Sequence, residues 1–234
     1  MAGADGRLPT LPPNWIADML TPMSIVRAKI CGITRAEDAR VAIEHGAHAL
    51  GFVFAPSSPR ALTRDQAAVL VRSLPPFVSK VGLFVDASRQ EVLDVVTGVG
   101  LDTVQLHGDE DPETCAAVQR VVPVVKAFRV RGPETVVQMQ AYRGSAAAFL
   151  LDAYVPGRHG GTGTRFDWGQ AVQAKTLGVP IILAGGLDAG NVAQAIDAVH
   201  PFAVDVSSGV ESAPGLKDPE KLRAFLGAVS TARG

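Results

Sequence analysis

Cys31 and Asp152 are the two residues whose types and settings could carry acid–base chemistry. Lys29-Ile30-Cys31-Gly32-Ile33-Thr34 reads as the end of a buried strand running into a tight turn and a helix start. A lone thiol there is placed to serve as a base or nucleophile once it is deprotonated. Much later, Leu150-Leu151-Asp152 ends a second strand and offers a matching acid. Each has a plainer reading on position alone. A free Cys is commonly a small buried hydrophobe, and a strand-end Asp is a structural partner or a catalytic acid.

Three glycine-rich turns accompany the pair: Gly160-Gly161-Thr162-Gly163, Ala184-Gly185-Gly186-Leu187 and Ser207-Ser208-Gly209-Val210-Glu211. Glycines let backbone N–H groups approach an anion closely, and successive N–H groups form anion nests. Gly161, Gly163, Gly185, Gly186, Ser208 and Gly209 are therefore candidate phosphate holders; the plain alternative is three tight turns. Thiol, carboxyl and phosphate cradle together point to proton transfer on a sugar phosphate.

Other polar residues have weaker claims. Arg60, after Ser57-Ser58-Pro59, could clamp a carboxylate through two parallel hydrogen bonds, or be an ordinary surface Arg. Gln105 and His107 close a strand; His107 could line a pocket or bond a loop carbonyl. Asp86, ending a strand, and Asp205, lying within one, rival Asp152 as the acid, and Cys115 falls inside a helix, where it packs. His45, His48, His159 and His200 show no metal-ligand spacing, so no metal is expected.

The elements that must position these groups alternate from Ser24 onward. Short apolar, β-branched runs end in Gly, Asp or Ser, and each precedes a segment of helical period. The strand candidates are Val26–Cys31, Ala49–Phe54, Lys80–Val85, Thr103–Leu106, Val124–Arg129, Ala148–Asp152, Ile181–Ala184 and Ala203–Val206. Helices are expected to begin near Arg35, Arg64, Arg89, Pro112, Pro133, Asp167, Asn191 and Pro219. Thr34 with Glu37 fits a capping box, and Thr63, Ser88 and Asp111 suit helix N-caps. Gly46, Gly100 and Gly178 fall where helices should stop.

Eight such units predict an α/β fold of the (β/α)8 TIM-barrel type, in preference to an open doubly wound sheet with a reversal point. The expected organisation is a single barrel domain over 24–234 with a short N-terminal extension, 1–23, of unassigned role. In such barrels the site forms at the C-terminal ends of the strands, where Cys31, Asp152 and two of the glycine turns fall.

The 234 residues are 47% hydrophobic with a net charge of −1, enough for one large core and too nearly neutral to attract nucleic acid or an acidic membrane. No apolar run reaches the roughly 18 residues of a membrane span, and 1–23 lacks the apolar centre of a signal peptide. Two cysteines in a chain of this length do not make a secreted disulfide scaffold, so a cytoplasmic location is expected.

Taken in order, several blocks resemble the phosphoribosylanthranilate isomerase family of tryptophan biosynthesis over nearly all of residues 25–230. They are Lys29–Thr34, Gly51-Phe52-Val53-Phe54, Ser58-Pro59-Arg60, Val81–Val85, Gln105-Leu106-His107-Gly108, Asp152, Gly160–Gly163, Ala184–Leu187 and Asp205–Glu211. One departure is Arg165, where many relatives carry a lysine soon after the third glycine. The resemblance implies an Amadori rearrangement of N-(5-phosphoribosyl)anthranilate. Asp152 would be the acid, Cys31 the base, Arg60 the anchor of the anthranilate carboxylate, and the glycine turns the phosphate site. It implies a small phosphoribosyl substrate, no cofactor, and a monomer or homodimer. Related histidine-pathway isomerases carry Asp where this chain has Cys31, which separates them from it. Because a free Asp titrates near 3.9 and a free Cys near 8.5, the site is expected to raise the first and lower the second.

Overall fold

The computed structural model describes residues 25–153 and 168–232. Eight parallel strands close into a barrel in chain order, each paired with the next and the last with the first. They are β1 (Arg27–Cys31), β2 (Ala49–Val53), β3 (Ser79–Phe84), β4 (Thr103–Leu106), β5 (Val124–Val130), β6 (Ala148–Ala153), β7 (Ile181–Ala184) and β8 (Ala203–Val206). A helix follows each strand: α1 (Ala36–Glu44), α2 (Arg64–Arg72), α3 (Arg89–Val99), α4 (Pro112–Gln119), α5 (Pro133–Met139), α6 (Trp168–Ala174), α7 (Val192–Val199) and α8 (Pro219–Thr231). The expected eight units are all present, with boundaries within a residue or so. The extension 1–23, His159, Gly161, Gly163, Arg165 and the helix start at Asp167 lie outside the described residues.

Local chemistry explains most helix starts. Thr63 and Ser88 close reciprocal capping boxes with Gln66 and Glu91, and Asp111 accepts from the Thr114 N–H. The Thr34–Glu37 box is not formed. Arg35 holds the N-cap position of α1, Glu37 pairs with the Arg35 guanidinium, and the Thr34 hydroxyl donates instead to the Gly215 carbonyl. A loop distant in sequence offers that hydroxyl a better partner than its own helix does. Gly100 and Gly178 end helical segments in left-handed conformation, and Gly46, also at positive φ, sits just past the C-cap of α1.

The apolar residues divide between two layers, as strand alternation requires. Ala28, Ile30, Leu50, Phe52, Leu106, Phe149, Leu151, Leu183 and Val204 face the helices in one continuous core. Val125, Ala127, Ala148, Leu150, Ile182, Ala184 and Ala203 fill a smaller core inside the barrel. That inner core is small because β1, β4 and β8 point Lys29, Gln105 and Asp205 inward, and all three are buried. A hairpin not anticipated from the sequence, β9 (Glu211–Ala213) with β10 (Leu216–Lys217), follows β8 after one 3-10 turn at Ser208–Val210.

Candidate active site

One cavity of about 450 Å³ at the C-terminal ends of the strands gathers Cys31, Arg60, His107, Asp152, Gly185, Gly186, Ser208 and Gly209. Every site residue expected from the sequence that lies among the described residues lines it. Strand alternation accounts for the convergence: Cys31 is two residues beyond inward-facing Lys29, Asp152 two beyond Leu150, and His107 two beyond Gln105.

Cys31 is buried beside Lys29, and both press on Gly51 of the neighbouring strand. A Cβ at Gly51 would sit 2.9 Å from the Cys31 Sγ and 3.2 Å from the Lys29 Cε. Lys29 in turn donates to the Asp205 carboxylate at 2.8 Å. Asp205, a rival acid by position, is thus the partner of a buried lysine. Burial tends to lower the Lys29 pKa, but Asp205 and Cys31 together raise it, so the ammonium stays charged. For Cys31 the expected direction needs correction. Burial pushes the thiol up, and the nearby Lys29 and Lys217 oppose that without reversing it. Removing a thiolate from water outweighs the two cations.

Asp152 pairs in register with Arg129 of β5, and its carboxylate lies 3.4 Å from the His107 Nε2. On its other side the His107 Nδ1 meets the Gln105 amide at 2.9 Å. When that amide is the donor, the neutral ring carries its proton on Nε2, toward Asp152. His107 therefore bonds side chains rather than a loop carbonyl. Its loop is held from behind: the Gly108 N–H donates to Glu110, which forms a buried 2.8 Å pair with Lys126. Asp86, the other rival, accepts from the Asp109 N–H at 2.6 Å and ties two loops together.

Arg60 is no free surface arginine. Its Nε and Nη2 bond the two oxygens of Glu211 at 2.8 and 2.6 Å. Glu211 raises the Arg60 pKa, while burial pulls Glu211 up and Arg60 and Lys217 bring it net down. The stem of Arg60 crosses Gly32, where a Cβ would lie 2.4 Å from the Arg60 Cδ. Gly32 also adopts a φ of +76°, so both shape and conformation call for glycine.

The glycine turns after β7 and β8 adjoin. Gly185 and Gly186 have φ of +83° and +65°, and the Asn191 side chain ties the Gly186 carbonyl to the start of α7. A Cβ at Gly209 would lie 2.0 Å from the Leu187 carbonyl oxygen, so only glycine lets the two loops meet. The buried Ser207 hydroxyl has no partner among the described residues. Sequence reading missed Arg129, Glu211 and Lys217. Arg129 could have been found by extending the inward phase of its strand by two; Glu211 and Lys217 depend on the unanticipated hairpin.

No helix among the described residues is long and apolar enough to cross a membrane, and no group of three potential ligands could hold a metal ion. The closed barrel and the cavity at its mouth, where a thiol, a carboxyl, an imidazole and a guanidinium meet, define a (β/α)8-barrel enzyme with its site at the C-terminal strand ends. The family model for N-(5'-phosphoribosyl)anthranilate (PRA) isomerase matches residues 28–228. The chain belongs to that family. It is 57% identical over 202 residues to the N-(5'-phosphoribosyl)anthranilate isomerase of Geobacter sp. (strain M21), covering 86% of this chain and 97% of that protein. The crystal structure of the Thermotoga maritima phosphoribosyl anthranilate isomerase superposes with a TM-score of 0.83 at 43% identity, covering 87% of this chain and 98% of that one. A structure of such an isomerase in complex with reduced 1-(o-carboxyphenylamino)-1-deoxyribulose 5-phosphate gives 0.79 at 41% identity, with the same coverage.

Proposed function

We propose that this phosphoribosylanthranilate isomerase of tryptophan biosynthesis works with Asp152 as its acid and Cys31 as its base. The observation that carries the assignment is the shared cavity, which a thiol from β1, a carboxyl from β6 and the glycine turns after β7 and β8 all line. The Asp152 carboxyl donates a proton to the furanose ring oxygen. The bond from that oxygen to C1 breaks, and the nitrogen lone pair closes a C1–N double bond. The Cys31 thiolate then takes the proton from C2, and the electron pair moves toward nitrogen to leave an enolamine. The enol O–H then returns a proton to the Asp152 carboxylate as C2 becomes a carbonyl, and C1 takes the proton held on the Cys31 thiol, which completes the aminoketose and resets both groups.

Two cations near Cys31 favour its use as a base. Burial opposes ionisation of the thiol, while Lys29 and Lys217 stabilise the thiolate form that the reaction uses. On this reading Arg60 receives the anthranilate carboxylate. Glu211 occupies the Nε edge of the guanidinium, which leaves the Nη1–Nη2 edge for a second carboxylate. The backbone around Gly185, Gly186, Ser208 and Gly209 holds the phosphate; Gly161 and Gly163, which the sequence also assigns to phosphate, lie outside the described residues. Remote phosphate binding orients the sugar at the reacting carbons. No cofactor takes part.

Cys31 and Cys115 are both free, as suits a reducing cytoplasm. The active species is a monomer or a homodimer, which light scattering distinguishes.

The test follows the fluorescence decay of freshly made N-(5-phosphoribosyl)anthranilate with wild type, Cys31→Ser and Asp152→Asn. Both variants should lose about 100- to 10,000-fold in kcat. Full activity in Cys31→Ser would remove the thiol from the mechanism, and full activity in Asp152→Asn would do the same for the carboxyl.

A further inference from the structure

The hairpin that follows β8 connects two groups that work on different parts of the substrate. Lys217, at its end, has a fully buried side chain. Its ammonium donates to the Cys31 carbonyl at 2.6 Å, the Ser207 carbonyl at 3.1 Å and the Glu211 carboxylate at 2.8 Å. Glu211, at the start of the hairpin, also accepts from the Nε and Nη2 of Arg60. A continuous chain of bonds thus runs from the backbone of Cys31 through Lys217 and Glu211 to the guanidinium of Arg60.

We propose that Glu211 and Lys217 are positioning residues that hold Arg60 in register with Cys31, so that a ligand carboxylate bound at Arg60 sets the distance from the sugar to the thiol. The inference rests on the reading of Arg60 as the carboxylate anchor.

Three features favour positioning over simple packing. First, a lysine and a glutamate are rarely buried without a partner, and here they form a three-member network that satisfies both and leaves one edge of the Arg60 guanidinium open. Second, the charges leave a surplus. Arg60 and Lys217 are positive and Glu211 is negative, so the cluster keeps one positive charge, which a ligand carboxylate neutralises. Third, the hairpin is itself fixed against β1 and α1. The Lys217 N–H donates to Asp38 at 3.1 Å, the Thr34 hydroxyl holds the Gly215 carbonyl, and the Gly215 N–H reaches Glu211 at 3.3 Å. An arginine has many rotamers, and fixing its head in advance removes part of the entropy cost of binding.

The test is a double-mutant cycle on kcat/KM with Glu211→Gln, Arg60→Ala and the combined variant, with thermal melting of each. If Glu211 acts through Arg60, Glu211→Gln alone should lose about 10- to 100-fold, mainly through KM. The same substitution in the Arg60→Ala background should then change kcat/KM by less than about twofold. Should Glu211→Gln fail to fold, Glu211→Asp takes its place in the cycle. Lys217→Met should instead lower kcat as well as raise KM, since it releases the Cys31 carbonyl. Losses that multiply in the combined variant would overturn the inference while leaving the Arg60 reading intact. An Arg60→Ala variant with unchanged KM would overturn both.

Discussion

The Lys29 ammonium donates to the Asp205 carboxylate at 2.8 Å inside the barrel, where β1 and β8 set the two residues directly opposite in register. Both are buried, and the pair sits beneath Cys31. A buried pair of this kind adds little net stability over an apolar pair, while removing one partner strands a charge and costs about 3–5 kcal/mol. What the pair supplies is an ammonium held beside the thiol, its pull opposed in part by the Asp205 carboxylate.

Replacing that charge should make the thiol harder to ionise. Lys29→Met combined with Asp205→Asn removes both charges and leaves no stranded ion. Inactivation of wild type by iodoacetamide should still be rising above the ordinary thiol range, because burial holds the Cys31 pKa up. In the double variant the rise should move to still higher pH, and inactivation at neutral pH should slow about tenfold for each unit of displacement. An unchanged profile would show that the pull of Lys29 on the thiol is no larger than the opposing push of Asp205.

Gly32→Ala should damage binding and stability together. The new methyl would meet the Arg60 Cδ at 2.4 Å, and the φ of +76° is unfavourable for alanine by about 1–2 kcal/mol. Melting should fall by about 2–8 °C, and KM should rise more than kcat falls. A variant with wild-type KM would mean that Arg60 can leave its observed position without consequence.

Gly209→Ala should act on the phosphate end. Its methyl would meet the backbone oxygen of Leu187 at 2.0 Å, so the loops after β7 and β8 must part. Inhibition by inorganic phosphate, competitive with substrate, should weaken about tenfold or more, in the manner of a lost uniform binding interaction. Unaltered inhibition would move the phosphate away from this junction.

Cys115 offers a pH test of stability. Burial pushes its pKa up to about 11. Between the ordinary thiol range and that value the unfolded chain loses its proton while the folded one keeps it. The stabilisation is therefore fully present at lower pH and declines as pH rises through this window, by about 2–3 kcal/mol in total. Denaturant unfolding of wild type and Cys115→Ala should converge by that amount between neutral pH and about 11. Parallel curves would show that the thiol titrates alike in both states.

The sequence by itself determined the barrel and most of its site. Eight apolar runs each followed by a helical period leave few ways to bury both faces of every strand, and local signals such as Thr63, Ser88, Asp111 and Pro112 mark the helix starts. Once the strands are placed, their ends place Cys31, His107, Asp152, Gly185 and Gly209 at one mouth, because the side-chain period of two is a property of every strand. Tertiary structure alone decided what those residues touch. Thr34 bonds Gly215 rather than capping its own helix, Arg60 pairs with a glutamate far along the chain, and Lys217 reaches the Cys31 carbonyl. Such partners are separated by 150 residues or more, and no local preference encodes them. The direction of the Cys31 pKa also waited on the fold, because it depends on how much water the closed barrel excludes as well as on which cations it brings near.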